Sequence, residues 1–262
     1  MSVERDLVLE RSGAVARVVV NRPDARNSFT YDMYTRMASL CRELAADDAV
    51  RVVVMRGAGT EAFVAGSDIA QFVDFTTAEH ARAYEAHVEA AIGAFEALPK
   101  PTIAMLAGPA TGSGAAFACA ADLRVAGPNL RLGVPIARTL GNTLSLRNVA
   151  RMVDVLGPAV AKDLLLTARL IDADEAARRG IVGEVVPLDR LEARVDELAG
   201  RLASLAPLTL RATKLAVVRV LEARRAALGD GGDLVALAYT SEDFREGVRA
   251  FLEKRPPKWQ GR

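Results

Sequence analysis

Apolar positions along this chain follow two spacings. Short β-branched runs at residues 15–20 and 52–55 have the length and composition of buried strands. Residues 7–20 read as two short strands around Ser12-Gly13, ending at the turn signal Asn21-Arg22-Pro23. Elsewhere apolar residues recur every three or four positions, which places them on one face of a helix. Residues 30–45 do so through Met33, Met37, Leu40, Cys41 and Leu44, and residues 77–98 through Tyr84, Val88, Ala91, Ile92 and Phe95. Strand and helix signals alternate to a late strand at residues 181–186. Helical patterns then cover residues 191–205, 208–228 and 234–254. Repeated strand–helix units followed by helices predict an α/β architecture.

Two glycine turns interrupt the apolar runs where chemistry can occur. In the first, Phe63-Val64-Ala65 leads into Gly66-Ser67-Asp68; in the second, residues 103–106 lead through Gly108 and Pro109 to Gly112-Ser113-Gly114. The alanine-rich stretch 115–121 that follows favours a helix, whose first turn carries unpaired N–H donors and the positive end of the helix dipole. Glycine before Ser67 frees the backbone to aim that residue's N–H at close range. Two such donors meeting at one oxygen form an oxyanion hole, which stabilises an enolate or a tetrahedral intermediate. The spacing also fits two ordinary strand exits.

Composition narrows the choice of function. A chain of 262 residues with 51% hydrophobic content can bury one large core, and a net charge of +1 gives no electrostatic case for nucleic acid or a membrane surface. Cys41 and Cys119 lie in apolar helical patterns, as free buried thiols do, and fit a reducing compartment. No metal-ligand spacing is present, the N-terminus lacks the blocks of a signal peptide, and no apolar run is long enough to span a bilayer. The expected location is cytoplasmic. Ser113 is a poor nucleophile-elbow candidate, because Thr111 and Ala115 stand where that motif has glycines.

From Val15 to Lys258 the chain resembles the enoyl-CoA hydratase/isomerase (crotonase) superfamily. The resemblance rests on Asn21-Arg22-Pro23 through Asn27, Ala65-Gly66-Ser67-Asp68-Ile69, Lys100-Pro101-Thr102-Ile103-Ala104, Gly108 through Gly114, and Ala121-Asp122-Leu123-Arg124. It continues through Ser241-Glu242-Asp243-Phe244-Arg245-Glu246-Gly247 and Phe251-Leu252-Glu253-Lys254-Arg255. It implies a ClpP/crotonase-like spiral of β-β-α units over residues 1–198, holding an acyl-CoA site. Residues 199–262 would then be a helical oligomerisation region serving a homotrimer or a dimer of trimers. It further implies that the main-chain amides of Ser67 and Ser113 hold the thioester carbonyl. Arg26, Ala65, Asp68 and Ile69 would contact coenzyme A, the only cofactor and one that arrives as part of the substrate. Phe251 and Lys254 would add contacts, commonly from a neighbouring subunit.

The chain also departs from the family pattern. The family's two catalytic glutamate positions read Ala116 and Ile136, or Ala137 if the second alignment shifts by one. None of these side chains can carry a proton, so hydration by the paired-glutamate route is not expected. His87 is a candidate replacement base, since histidine titrates near neutrality; with His80 it also fits a partly exposed helix surface. Glu89 on the same helix is a second candidate, or a solvated charge. Arg138 and Asn142 follow the lost second glutamate. There Arg138 can bind a substrate carboxylate or stabilise negative charge, or be a loop cation. Asp68 and Asp122 read as structural, Asp68 being nearer the ligand. Two functions remain open: an enzyme that forms a thioester enolate with unusual proton-handling groups, and a scaffold that binds acyl-CoA without turnover.

Overall fold

The computed structural model describes residues 3–262. A short helix, α1 (Val3–Asp6), leads into a hairpin of β1 (Leu7–Ser12) and β2 (Val15–Val20). The first long helix, α2 (Tyr31–Ala46), starts where the Thr30 hydroxyl accepts the Met33 amide, and its Met33, Met37, Leu40, Cys41 and Leu44 are buried as the spacing predicts. Next come β3 (Val52–Gly57), α3 (Ala78–Glu96) capped by Thr77, β4 (Thr102–Leu106), β5 (Pro109–Thr111) and α4 (Ser113–Ala120). The middle of the chain supplies β6 (Leu123–Ala126), β7 (Arg131–Gly133), α5 (Ile136–Thr139), α6 (Leu146–Thr167), β8 (Ile171–Asp172), α7 (Ala173–Arg178) and β9 (Glu184–Val185). Four helices complete it: α8 (Leu188–Ser204), α9 (Pro207–Arg225), α10 (Gly232–Tyr239) and α11 (Glu242–Leu252).

The larger sheet has the order β1-β2-β3-β4-β6-β9, parallel throughout except for the first hairpin. Its β3 and β4 are apolar on both faces and buried on both, the arrangement that forces parallel strands between covering layers. One face meets α2, α3 and α4 in the main core; the other is covered by Leu191, Val195 and Ala199 of α8. The domain boundary expected at 198/199 therefore falls inside α8, which is bound to the sheet along its whole buried stripe. A second, smaller sheet has the order β5-β7-β8.

Two expected elements differ. The strand at 181–186 shortens to Glu184–Val185, because Ile181 and Val182 bond back to the Ala176 carbonyl and close the turn after α7. The continuous helix at 234–254 is two helices. Ser241 leaves the helical conformation and caps α11 by accepting the Phe244 amide, so the chain turns there. Helix α10 packs on α3, and the turn lays α11 against residues 69–72 and α5, so that Tyr239 and Phe244 both meet Phe72. Among the described residues no helix is long and apolar enough to cross a membrane.

Candidate active site

The two glycine turns lie side by side because their approach strands are in register. Residues 62–67 run parallel to β5, with Val64 bridged to Ala110; the Thr111 amide donates to the Val64 carbonyl, and the Phe63 amide to that of Pro109. Three residues beyond the bridge on each strand stand Ser67 and Ser113. Close approach demands glycine here: a Cβ on Gly112 would sit 3.3 Å from the Gly66 Cα, and one on Gly114 would sit 2.0 Å from the Val64 carbonyl oxygen. Gly112 adopts φ 57°, ψ −123°, a conformation that side chains forbid.

Both amides are left free by this backbone path. Ser67 is bridged in parallel to Phe29, a pairing that uses the Gly66 carbonyl and the Asp68 amide, so the Ser67 N–H points away from that partner. Ser113 is the first residue of α4, where an N–H has no acceptor within the helix. Among the described residues neither amide has a protein acceptor. Both serines line one cavity of about 420 Å³, whose walls include Phe72, Val88, Ile136, Leu140 and Leu144. A cavity that is mostly apolar and carries two adjacent free donors can hold a carbonyl group and take up negative charge developing on its oxygen.

The serine side chains are occupied differently from the amides. Ser67 Oγ accepts from the Tyr84 hydroxyl at 2.5 Å and is 2.7 Å from that of Tyr34, a clamp that fixes the turn from α2 and α3. Burial pushes the Tyr34 phenol up to about 12 and holds that of Tyr84 well above its usual range, so both stay protonated. Ser113 Oγ lies near enough to Tyr34 to ease its ionisation slightly, yet is buried without a hydrogen-bond partner of good geometry among the described residues.

Several residues expected at the site line this cavity: Arg26, Ala65, Asp68, Ile69, Ile136, Asn142 and Phe251. Arg26 is exposed, left-handed at φ 51°, and has no ion-pair partner among the described residues. Asp68 is tied to Arg22 at 3.0 Å and caps the following turn through the Ala70 amide, which makes it a wall-setting group. Phe251 reaches the cavity of its own chain, because the turn at Ser241 carries α11 back over it. Lys254 is exposed at the end of α11 and does not line the cavity. Asp122 accepts from the Thr102 amide and hydroxyl and pairs with Lys214, an anchor between sheet and α9.

His87, Arg138 and Glu89 lie elsewhere. His87 stacks on Tyr31 with ring centroids 3.7 Å apart and its Nε2 meets the Tyr31 carbonyl and Thr35 hydroxyl, so it joins α2 to α3 outside the cavity. Arg138 projects to solvent from α5, while its neighbours Pro135, Ile136, Thr139 and Leu140 face the cavity. Glu89 is held by two 2.6 Å bonds from Arg151, which is fully buried. Ala116 is enclosed in α4 and has no access to the cavity.

One titratable group in the cavity escapes a reading of the sequence by type. Glu85 of α3 is only 5% exposed and lines the cavity; its Oε1 accepts from the Tyr239 hydroxyl at 2.5 Å and its Oε2 from the Ser145 amide at 2.8 Å. Asn142 Nδ2 in turn donates to the Tyr239 oxygen at 2.9 Å. Burial raises the Glu85 carboxyl to about 7, against which the bonds from Tyr239 and Ser145 act. A signal did exist: Glu85 falls on the stripe Ala81, Val88, Ile92, an acid at an apolar position of the helix. Among the described residues no group of three metal-ligand side chains occurs.

A fold with in-register glycine turns and free amides over an apolar cavity defines the crotonase class, and comparison with known proteins agrees. Residues 10–262 match the family model described as enoyl-CoA hydratase/isomerase. The chain is 35% identical over 251 residues to a crotonyl-CoA hydratase of Syntrophomonas wolfei, covering 95% of this chain and 96% of the relative. It is 31% identical over 258 residues to a 2,3-dehydroadipyl-CoA hydratase of Escherichia coli, covering 98% and 99%. A crystal structure titled enoyl-CoA hydratase/carnithine racemase from Magnetospirillum magneticum superposes with a TM-score of 0.80 at 35% identity, covering 98% of this chain and 96% of that one. This chain belongs to the enoyl-CoA hydratase/isomerase family.

Proposed function

We propose that the protein binds an acyl-CoA thioester and stabilises the enolate formed from it at the main-chain amides of Ser67 and Ser113. The observation that carries this reading is the register of the two turns: the bridge between Val64 and Ala110 sets both amides side by side at one cavity, without internal acceptors. The acyl chain would lie against Phe72, Val88, Ile136, Leu140 and Leu144. Arg26, with no ion pair among the described residues, is suited to a phosphate of coenzyme A. No cofactor other than the thioester's own coenzyme A is required. Exposed Leu208, Val217, Val220 and Leu237 favour a homotrimer or dimer of trimers, in which Lys254 would serve a neighbouring site.

Relatives named hydratases suggest water addition, but Ala116 and Ile136 supply no carboxylate for the paired route, which favours proton transfer, lysis or isomerisation at the enolate. The same two replacements support a second reading, a scaffold that binds acyl-CoA without turnover. Incubation with α-deuterated hexanoyl-CoA in water separates the two. Loss of label, followed by mass spectrometry, is expected; tight binding with full retention of label would select the scaffold.

A further inference from the structure

We propose that Glu85 is the catalytic residue that takes a proton from the acyl group and returns it, held for that task by Tyr239. The proposal rests on the thioester reading above. It follows from where the carboxyl group lies: in the cavity that the two serine amides line, buried, and bonded among the described residues to uncharged donors alone.

Neighbouring acids are excluded by their partners. Glu89 and Glu96 on the same helix bind Arg151, and Glu96 also binds Arg225, so their charges are matched inside the protein. Glu85 has no cation among the described residues. The oxygens of Glu89 and Glu96 are taken up by guanidinium groups and neither residue lines the cavity, whereas Glu85 does.

The step balances without a further reactant. A Glu85 oxygen takes the proton from carbon 2 of the thioester, so a C–H bond breaks and an O–H bond forms. The freed electron pair passes to the thioester oxygen, where the Ser67 and Ser113 amides stabilise it. The protonated Glu85 then returns its proton, to carbon 2 or, when the enolate is conjugated, to carbon 4. A single carboxyl group suffices for this transfer, while adding water by the family's route needs two.

Tyr239 is a positioning residue. Its hydroxyl donates to Glu85 and accepts from Asn142, which sets the direction of its proton, and its ring packs against Phe244 with centroids 4.8 Å apart. The groups that face Glu85 are Tyr239 from α10, Tyr84 beside it, Tyr34 from α2, and Glu89 one turn on with its matching Arg151 from α6. All three tyrosines are held above their ordinary range by burial, which leaves Glu85 as the group that changes charge near neutrality.

The test is exchange of deuterium into 3-hexenoyl-CoA in D₂O, with binding of hexanoyl-CoA measured in parallel. Wild-type exchange should rise with pH through about 7 and then level off, because the carboxylate is the active form. Glu85→Gln should lose about 100-fold or more in exchange with binding unchanged, and Glu85→Asp should recover part of it. Tyr239→Phe removes a donor to the carboxylate and should move the pH profile upward at a retained plateau. Wild-type-like exchange by Glu85→Gln would overturn the role of Glu85 and leave the thioester reading standing. Binding of hexanoyl-CoA with no exchange by the wild-type protein would overturn both.

Discussion

Helix α3 carries two glutamates one turn apart, Glu85 and Glu89, and the protein treats them in opposite ways. Glu89 meets Arg151 in a two-point ion pair, and Glu96, further along, joins Arg151 to Arg225 and so links α3 to α6 and α9. Glu85 meets a phenol and a main-chain amide. Residue type and helix are shared, and Glu85 is the more deeply buried, so the difference comes from depth and from what the facing elements bring. A buried acid matched by a cation fastens helices together; one matched by neutral donors keeps a proton available near neutral pH.

Removing the cation should give the largest effect. Arg151→Ala strands Glu89 and half of the Glu96 pairing, and should cost about 3–5 kcal/mol in denaturant unfolding at pH 7. A loss under about 1 kcal/mol, as for an exposed pair, would mean that the facing cation fastens nothing.

Glu85→Gln tests the other end of the comparison with the opposite sign. The native carboxyl keeps its proton to about 7 while an unfolded one releases it near 4.5, so wild-type stability should fall as pH rises through this window and then stay level. Glutamine abolishes that fall; its amide nitrogen cannot accept from Ser145 as the carboxyl does, a loss common to both pH values, so its effect should be more favourable at pH 8 than at pH 4 by on the order of 3 kcal/mol. Thermal melts at the two pH values decide it.

Between these ends lies the Tyr34–Tyr84–Ser67 clamp beside Glu85. Ser67→Ala leaves two buried phenols short of a partner and should cost about 1–3 kcal/mol, whereas Ser113→Ala removes a hydroxyl that has none and should be close to neutral. Small effects are also expected outside the cavity. His87→Ala gives up its stack on Tyr31, worth about 0.5–1.5 kcal/mol, and Arg138→Ala should change neither stability nor exchange. A large loss of exchange in either variant would place the proton-handling group outside the cavity described.

Much of this molecule was legible along the chain. The periodicities at residues 30–45 and 77–98 predict helices that are present with threonine caps, and the glycine turns were visible because only glycine tolerates such a backbone path. Reading by chemical type does not find the titratable group that lines the cavity. Histidine is the type that titrates near neutrality unaided, but His87 faces Tyr31; Glu85 gives no such signal by type, because an acid acquires that behaviour only when buried. The hidden break at Ser241 matters as much, since an unbroken helix could not have returned Phe251 to the cavity that Tyr239 lines.

By itself the sequence determined the family, the strand and helix periods and the two glycine turns, because these depend on local geometry and residue identity. Tertiary structure decided which buried acid meets arginine and which meets tyrosine. That depends on desolvation and on partners more than fifty residues away, from α6, α10 and the loop before Ser145, which no spacing along α3 encodes.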